Sequence, residues 1–308
     1  MKIAVIYGGQ GSQEIGMGKA LYESSKLFKD HVDYANRLLD FDLKDMMFHQ
    51  DEVNQTKYAQ IAIYVMNAGL STLLKEKNLI FYAHAGLSLG EYNALLNSQV
   101  FSFEEGLQII KHRALYMQEC SLKQETKMLA LLGNLETVHE CIQAYDDVYI
   151  ANYNTLNQYV VGGSKASIES IMKKAKSCGI KRAVLLETSG AFHTPYMDEA
   201  KKHFEEYLKN VKVNEPKKPL YLNVSGKRYQ KDIKQSMINQ ITAPVKFYDM
   251  IFNMVQDGVN CFIEVGPKPI LKSMVKKLVN DKLIYHVSDL ESLNQTILDI
   301  KELTSDEI

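Results

Sequence analysis

The sequence predicts an α/β protein, a large α/β-hydrolase-like domain on a parallel sheet that is interrupted by a small ferredoxin-like one. Three observations carry this. An apolar strand, Leu79 to Ala83, runs into Gly86-Leu87-Ser88-Leu89-Gly90 and then into a helix opening at Glu91, the strand–turn–helix of a nucleophile elbow. Two further apolar strands, Ile3 to Tyr7 and Asn260 to Val265, empty into glycine-bearing turns, as strands of a parallel sheet do. Between them the order β-α-β-β-α-β is that of a ferredoxin-like unit. The large domain is expected over residues 1–125 and 190–308, and the insert over 126–189.

Composition narrows the function. The chain has 308 residues, 46% hydrophobic and 24% charged, enough to bury a core without staples. A formal net charge of −1 gives no reason to expect nucleic acid or a membrane surface. Cys120, Cys141, Cys178 and Cys261 are scattered, without a C-x-x-C pair or nearby histidine spacing. They read as reduced thiols, so neither a disulfide frame nor a metal site is expected. The apolar start Ile3 to Tyr7 is too short for a signal segment, and no apolar run approaches a membrane span; a cytoplasmic protein is expected.

Taken in order, the first strand ends in Gly8-Gly9-Gln10-Gly11-Ser12-Gln13. A dinucleotide fingerprint from Gly9 would need glycine where Glu14 stands, and a P-loop ending at Lys19 would need glycine at Gln13 and Ser or Thr at Ala20; both fail. What remains is a loop able to aim a backbone N–H and an amide side chain. Residues 21–74 read as helical, broken at Asp40-Phe41-Asp42. After the elbow, Ser102-Phe103-Glu104-Glu105 is a capping box. The helix it opens has an apolar stripe of Leu107, Ile110, Ala114 and Met117, with Arg113 at its edge. An arginine there either snorkels to solvent or faces a cleft.

In the insert, strands are expected at Met128 to Leu132, Val148 to Asn152, Tyr159 to Gly163 and Lys181 to Leu186. Helices fall at Glu136 to Ala144 and after an N-cap at Ser164, stopped by Gly179. His193 follows in a strand–loop–helix junction, where the chain returns to the large domain. Leu220 to Val224 reads as a short strand, and Asn260 to Val265 with Gly266-Pro267 and the helix from Ile270 as the unit closing the parallel sheet. The segment beyond Ser288 is polar to acidic.

Several of these segments, in order along nearly the whole chain, resemble one family. They are Gly9-Gln10-Gly11-Ser12-Gln13; Gly86-Leu87-Ser88-Leu89-Gly90-Glu91; Arg113 within His112-Arg113-Ala114-Leu115-Tyr116-Met117-Gln118; Ala191-Phe192-His193; Gln240 with Pro244-Val245; and Glu264-Val265-Gly266-Pro267. The chain is similar to the malonyl-CoA:acyl carrier protein transacylases of fatty-acid synthesis and the discrete acyltransferases of polyketide synthases. Two departures stand out: Gly8 where the family usually has proline, and Leu87 where it usually has histidine.

The resemblance implies ping-pong acyl transfer. Ser88 is the nucleophile, His193 the base, and the backbone N–H groups of Gln10 and Leu89 the oxyanion hole. It further implies that the Gln240 main-chain carbonyl orients His193, with Asp198 the rival, and that Arg113 clamps the free malonyl carboxylate. Malonyl-CoA and acyl carrier protein are the implied partners. No cofactor is expected beyond the coenzyme A thioester, and the protomer is expected to be a monomer. Lys173, Lys174, Lys176, Lys181 and Arg182 either receive the acidic carrier or form a solvated face. A thioesterase with the same serine–histidine pair and a non-catalytic carrier-docking module are the alternatives.

Overall fold

In a computed structural model, which describes residues 1–305, the chain forms two sheets flanked by helices. The strands are β1 (Ile3–Tyr7), β2 (Phe81–Gly86), β3 (Thr126–Leu132), β4 (Val148–Thr155), β5 (Gln158–Ser164), β6 (Arg182–Leu185), β7 (Val245–Lys246), β8 (Cys261–Val265) and β9 (Leu283–Val287). The larger unit holds a four-stranded sheet of order β2-β1-β8-β9, parallel throughout. Parallel strands covered on both faces must be apolar on both, and β1 and β8 are buried at every position. Alternate residues serve the two layers. Ile3, Val5 and Tyr7 of β1 join Ile263 and Val265 in one core with the helix Thr56–Glu76, while Ala4 and Ile6 join Phe262 in the other, with the helices Phe247–Gln256 and Ile270–Leu278.

The second sheet has the order β6-β3-β5-β4-β7. Its pairs are antiparallel except β4 with β7, where a two-residue strand from beyond the insert adds to the edge. Leu129, Leu131 and Val161 point to one face and bury against Ile168 and Ile171 of the helix Lys165–Lys174. Met128, Ala130 and Val160 take the other face, which becomes one wall of the inter-sheet cleft. Strand alternation therefore builds the insert's core and the cleft lining from the same segments.

Local signals explain most element ends. The Ser102 hydroxyl accepts from Glu105 N–H and the Glu105 carboxylate from Ser102 N–H, both halves of the capping box. Ser164 caps its helix through Ser167 N–H, and Gly179 takes a left-handed φ of 84° where the chain turns toward β6.

Three expectations are corrected. The elbow strand is Phe81–Gly86, not Leu79 to Ala83: Asn78 turns with φ 60° and Ile80 stands 84% exposed, because pairing with β1 begins at Phe81. Leu220 to Val224 forms no strand; it makes only isolated bridges, His84 with Leu220 and Tyr221 with Arg228. The parallel sheet does not close at β8. The half-exposed edge strand β9 extends it, and a helix, Leu290–Ser305, follows where only a polar segment was read. Among the described residues, no helix is long and apolar enough to cross a membrane.

Candidate active site

The elbow's geometry follows from its glycines. A Cβ on Gly86 would lie 2.0 Å from the Gly90 carbonyl carbon, and one on Gly90 would lie 2.0 Å from Tyr7 O. Strand, turn and helix thus approach as closely as bare backbone allows. Gly9 presses onto the same turn, where a Cβ would sit 2.4 Å from Leu87 O. Ser88, at the apex, adopts φ 53°, a left-handed conformation costing about 1–3 kcal/mol in a non-glycine residue. Asn223 holds it there: its Oδ1 accepts from Ser88 N–H at 2.7 Å and its Nδ2 donates to Gly86 O at 2.6 Å.

Across the cleft His193, also left-handed at φ 60°, brings Nε2 to 2.6 Å from Ser88 Oγ. Its Nδ1 lies 2.8 Å from the carbonyl oxygen of Gln240. Burial, reinforced by the charge of Arg113, pushes the imidazole down to about 4, so the ring is neutral at physiological pH. A neutral imidazole at hydrogen-bond distance from a hydroxyl can receive its proton. Asp198 is exposed on the helix Asp198–Lys209 and takes no part.

The Arg113 side chain does not snorkel to solvent. It is buried, with Nη2 3.4 Å from Ser88 Oγ, because its helix turns that edge of the stripe toward the elbow. Nη1 donates to Gln60 Oε1 at 2.5 Å, Nη2 donates to Gln240 Oε1 at 3.0 Å, and the guanidinium carbon lies 5.1 Å from the Tyr92 ring centre. Among the described residues Nε–H has no hydrogen-bond partner. A buried guanidinium with donors to spare is a receptor for an anion, and bidentate carboxylates match its fork.

Gln10 and Leu89 lie on the two loops that Gly9 brings into contact, and among the described residues neither backbone N–H has a hydrogen-bond partner. The Gln10 amide is used elsewhere: it donates to Thr56 Oγ1 at 3.0 Å, and that hydroxyl contacts Ser189 Oγ at 2.8 Å. Gln10, Ser88 and His193 line a cavity of about 630 Å³ between the two sheets, with Leu87 and Gln60 also at its wall.

Sequence reasoning missed Asn223, Gln60 and Glu91, and used only the main chain of Gln240. Glu91 is fully buried, accepting from Asn223 N–H and Gln240 Nε2. A carboxylate beside the elbow's second glycine, where the following helix packs inward, was the available signal; Asn223 offered none.

Comparison with known proteins gives the family. The acyl transferase domain family matches residues 5–302. The chain belongs to the acyl transferase family. Its acyltransferase relatives include the malonyl CoA-acyl carrier protein transacylase of Bacillus subtilis (strain 168), 34% identical over 310 residues and 98% of each chain. The protein of that name from Staphylococcus aureus (strain MRSA252) is 33% identical, over 95% of this chain and 97% of that one. The solved malonyl CoA-acyl carrier protein transacylase of Clostridium perfringens superposes with a TM-score of 0.94 at 31% identity, over 99% of both chains. A complex described as a type II PKS acyl-carrier protein with its malonyl-transacylase matches at 0.93 and 26% identity, over 97% of this chain and 100% of that one.

Proposed function

We propose that this acyltransferase moves a malonyl group from malonyl-CoA to the phosphopantetheine thiol of an acyl carrier protein, through an ester on Ser88. One observation carries the reading: the buried Arg113 guanidinium lies 3.4 Å from the Ser88 hydroxyl. An acyl group on that oxygen reaches the guanidinium with its distal end, and a carboxylate there satisfies donors that a plain acyl chain leaves empty. Names of the relatives, and the carrier-protein complex among the structural neighbours, support the same substrates.

Ser88 Oγ attacks the thioester carbonyl as its proton passes to His193 Nε2. The tetrahedral oxyanion rests on the N–H groups of Gln10 and Leu89, each contributing on the order of 10²–10³ in rate. Collapse breaks the C–S bond, and His193 returns the proton to the departing coenzyme A sulfur. The carrier thiol then gives His193 a proton, attacks the ester carbonyl, and releases Ser88 Oγ, which takes the proton back. The Gln240 carbonyl holds the imidazole through Nδ1–H. This chemistry needs no cofactor beyond the thioester.

The catalytic unit is residues 1–125 and 190–308, α/β-hydrolase-like around its parallel sheet. The insert, 126–189, is ferredoxin-like; the order β6-β3-β5-β4 with antiparallel neighbours supports that assignment. The protein is a cytoplasmic monomer, and exposed Lys173, Lys176, Lys181 and Arg182 on the insert face the acidic carrier.

Intact-mass spectrometry after mixing with malonyl-CoA tests the scheme. A malonyl adduct on the wild-type protein, absent from Ser88→Ala and discharged by holo carrier protein, is expected. No adduct overturns the proposal; an adduct that water clears as fast as the carrier does makes the enzyme a hydrolase.

A further inference from the structure

We propose that Glu91 is a positioning residue that orients the side-chain amide of Gln240, and through it keeps the Arg113 guanidinium in register with Ser88, so that Glu91 sets the preference for carboxylated over plain acyl groups. The inference rests on the malonyl-transfer reading above.

Glu91 acts through its protein partners, and its side chain is fully buried. Both carboxylate oxygens are acceptors: Oε2 takes Asn223 N–H at 2.5 Å and Oε1 takes Gln240 Nε2 at 3.0 Å. The Gln240 amide is therefore held between an acceptor and a cation. Its nitrogen donates to Glu91 and to Ser88 O at 2.9 Å, and its oxygen accepts from Arg113 Nη2 at 3.0 Å.

An amide has one donor end and one acceptor end. Turned over, it would set N–H groups against the guanidinium and its carbonyl against a carboxylate. Burial pushes the Glu91 carboxyl up to about 8, against the pull of the Asn223 N–H, the Arg113 charge and the Gln240 amide; in its ionised form only one amide orientation is satisfied, and that orientation gives Arg113 one of its two amide anchors, the other being Gln60. Among the described residues, Arg113 has no carboxylate within ion-pair distance, so its hold on position depends on these amides and on the Tyr92 ring. The main chain of Gln240 meanwhile binds His193. One residue thus touches both the base and the proposed acyl selector, and Glu91 fixes its side chain.

A simpler role exists, in which Glu91 only steadies the elbow through Asn223. Glu91→Gln separates the two. Its carbonyl still accepts from Asn223 N–H, but its NH₂ meets the Gln240 NH₂, and the amide is left with Ser88 O and Arg113 as its orienting partners. Single-turnover acylation with malonyl-CoA and with acetyl-CoA, quenched and read by intact mass, is the measurement. Misplacement of a binding group by about 1 Å costs as much as 10²-fold. The expected result is a malonyl-to-acetyl rate ratio reduced about ten- to a hundredfold, with acetyl acylation changed about threefold at most. A ratio like the wild type's, whether both rates fall together or neither moves, overturns the proposal.

If Glu91→Gln loses its cooperative melt, Gln240→Leu replaces it, since that variant deletes the amide and keeps the main-chain carbonyl. The same fall in ratio is then expected, and an unchanged ratio overturns the role. Wild-type protein that never takes up malonyl overturns the transfer reading with it, whereas a malonylated wild type with an unshifted variant ratio removes only Glu91.

Discussion

His193 and Gln240 meet through the main chain, the imidazole Nδ1 lying 2.8 Å from the Gln240 carbonyl oxygen. A carbonyl can only accept, so Nδ1 carries the proton and Nε2 turns its lone pair to Ser88 Oγ, 2.6 Å away. The tautomer a base requires is thus set without an acidic partner, and no negative charge props up the imidazolium.

This arrangement fixes a pH dependence. Burial first, and the Arg113 charge second, lower His193 to about 4. A histidine with a depressed value stays neutral until the pH falls through that value, so acylation measured as kcat/KM holds from pH 7 to about 5 and declines near 4. With acetyl-CoA as donor, Arg113→Gln removes the second cause, and the acid limb moves up toward the ordinary histidine range. A limb near 6.5 in the wild type contradicts the buried, neutral base.

Arg113→Ala is expected to cut malonyl transfer sharply and to raise the relative rate with acetyl-CoA. Leaving a buried guanidinium without its anion costs about 3–5 kcal/mol, a penalty borne only by plain acyl groups and removed by the substitution. Competition between the two thioesters for one enzyme sample reads the ratio directly. An unchanged ratio means that Arg113 does not select.

Gly86→Ala and Gly90→Ala both drive a Cβ to 2.0 Å from backbone atoms, which cannot rotate away as a side chain can. Each is expected to destabilise the fold by about 3 kcal/mol or more. Gly11→Ala is the control: its φ is 101°, but a Cβ there meets nothing within 4 Å, leaving only conformational strain of about 1–2 kcal/mol. Urea midpoints for the three variants should separate in that order, and equal midpoints would show that the elbow tolerates a side chain.

Reversing charge at Lys173, Lys176, Lys181 and Arg182 is expected to raise KM for carrier protein severalfold, with the effect shrinking as salt screens it. KM for free pantetheine should not move. Equal effects on both thiols, or none on either, would make these residues a solvated face.

What could be read before folding was local. The elbow turn, the capping box at Ser102 and Glu105, the Ser164 cap and the alternation of the insert's strands involve groups within a few residues of one another, so their chemistry is written in adjacent letters. Edge strand β9 escaped because only two of its five residues are buried and its apolar period is weak. Asn223, 135 residues from Ser88, escaped because an isolated asparagine carries no spacing signal.

By itself the sequence determined which hydroxyl is presented at a strained turn, since glycines two residues away on either side permit the close approach of strand and helix there. Tertiary structure alone decided which of the eight histidines reaches it, whether Arg113 meets water or Ser88, and which way the Gln240 amide points. Those outcomes depend on contacts 25 to 152 residues apart, and such contacts exist only after the two sheets have closed on the cavity between them.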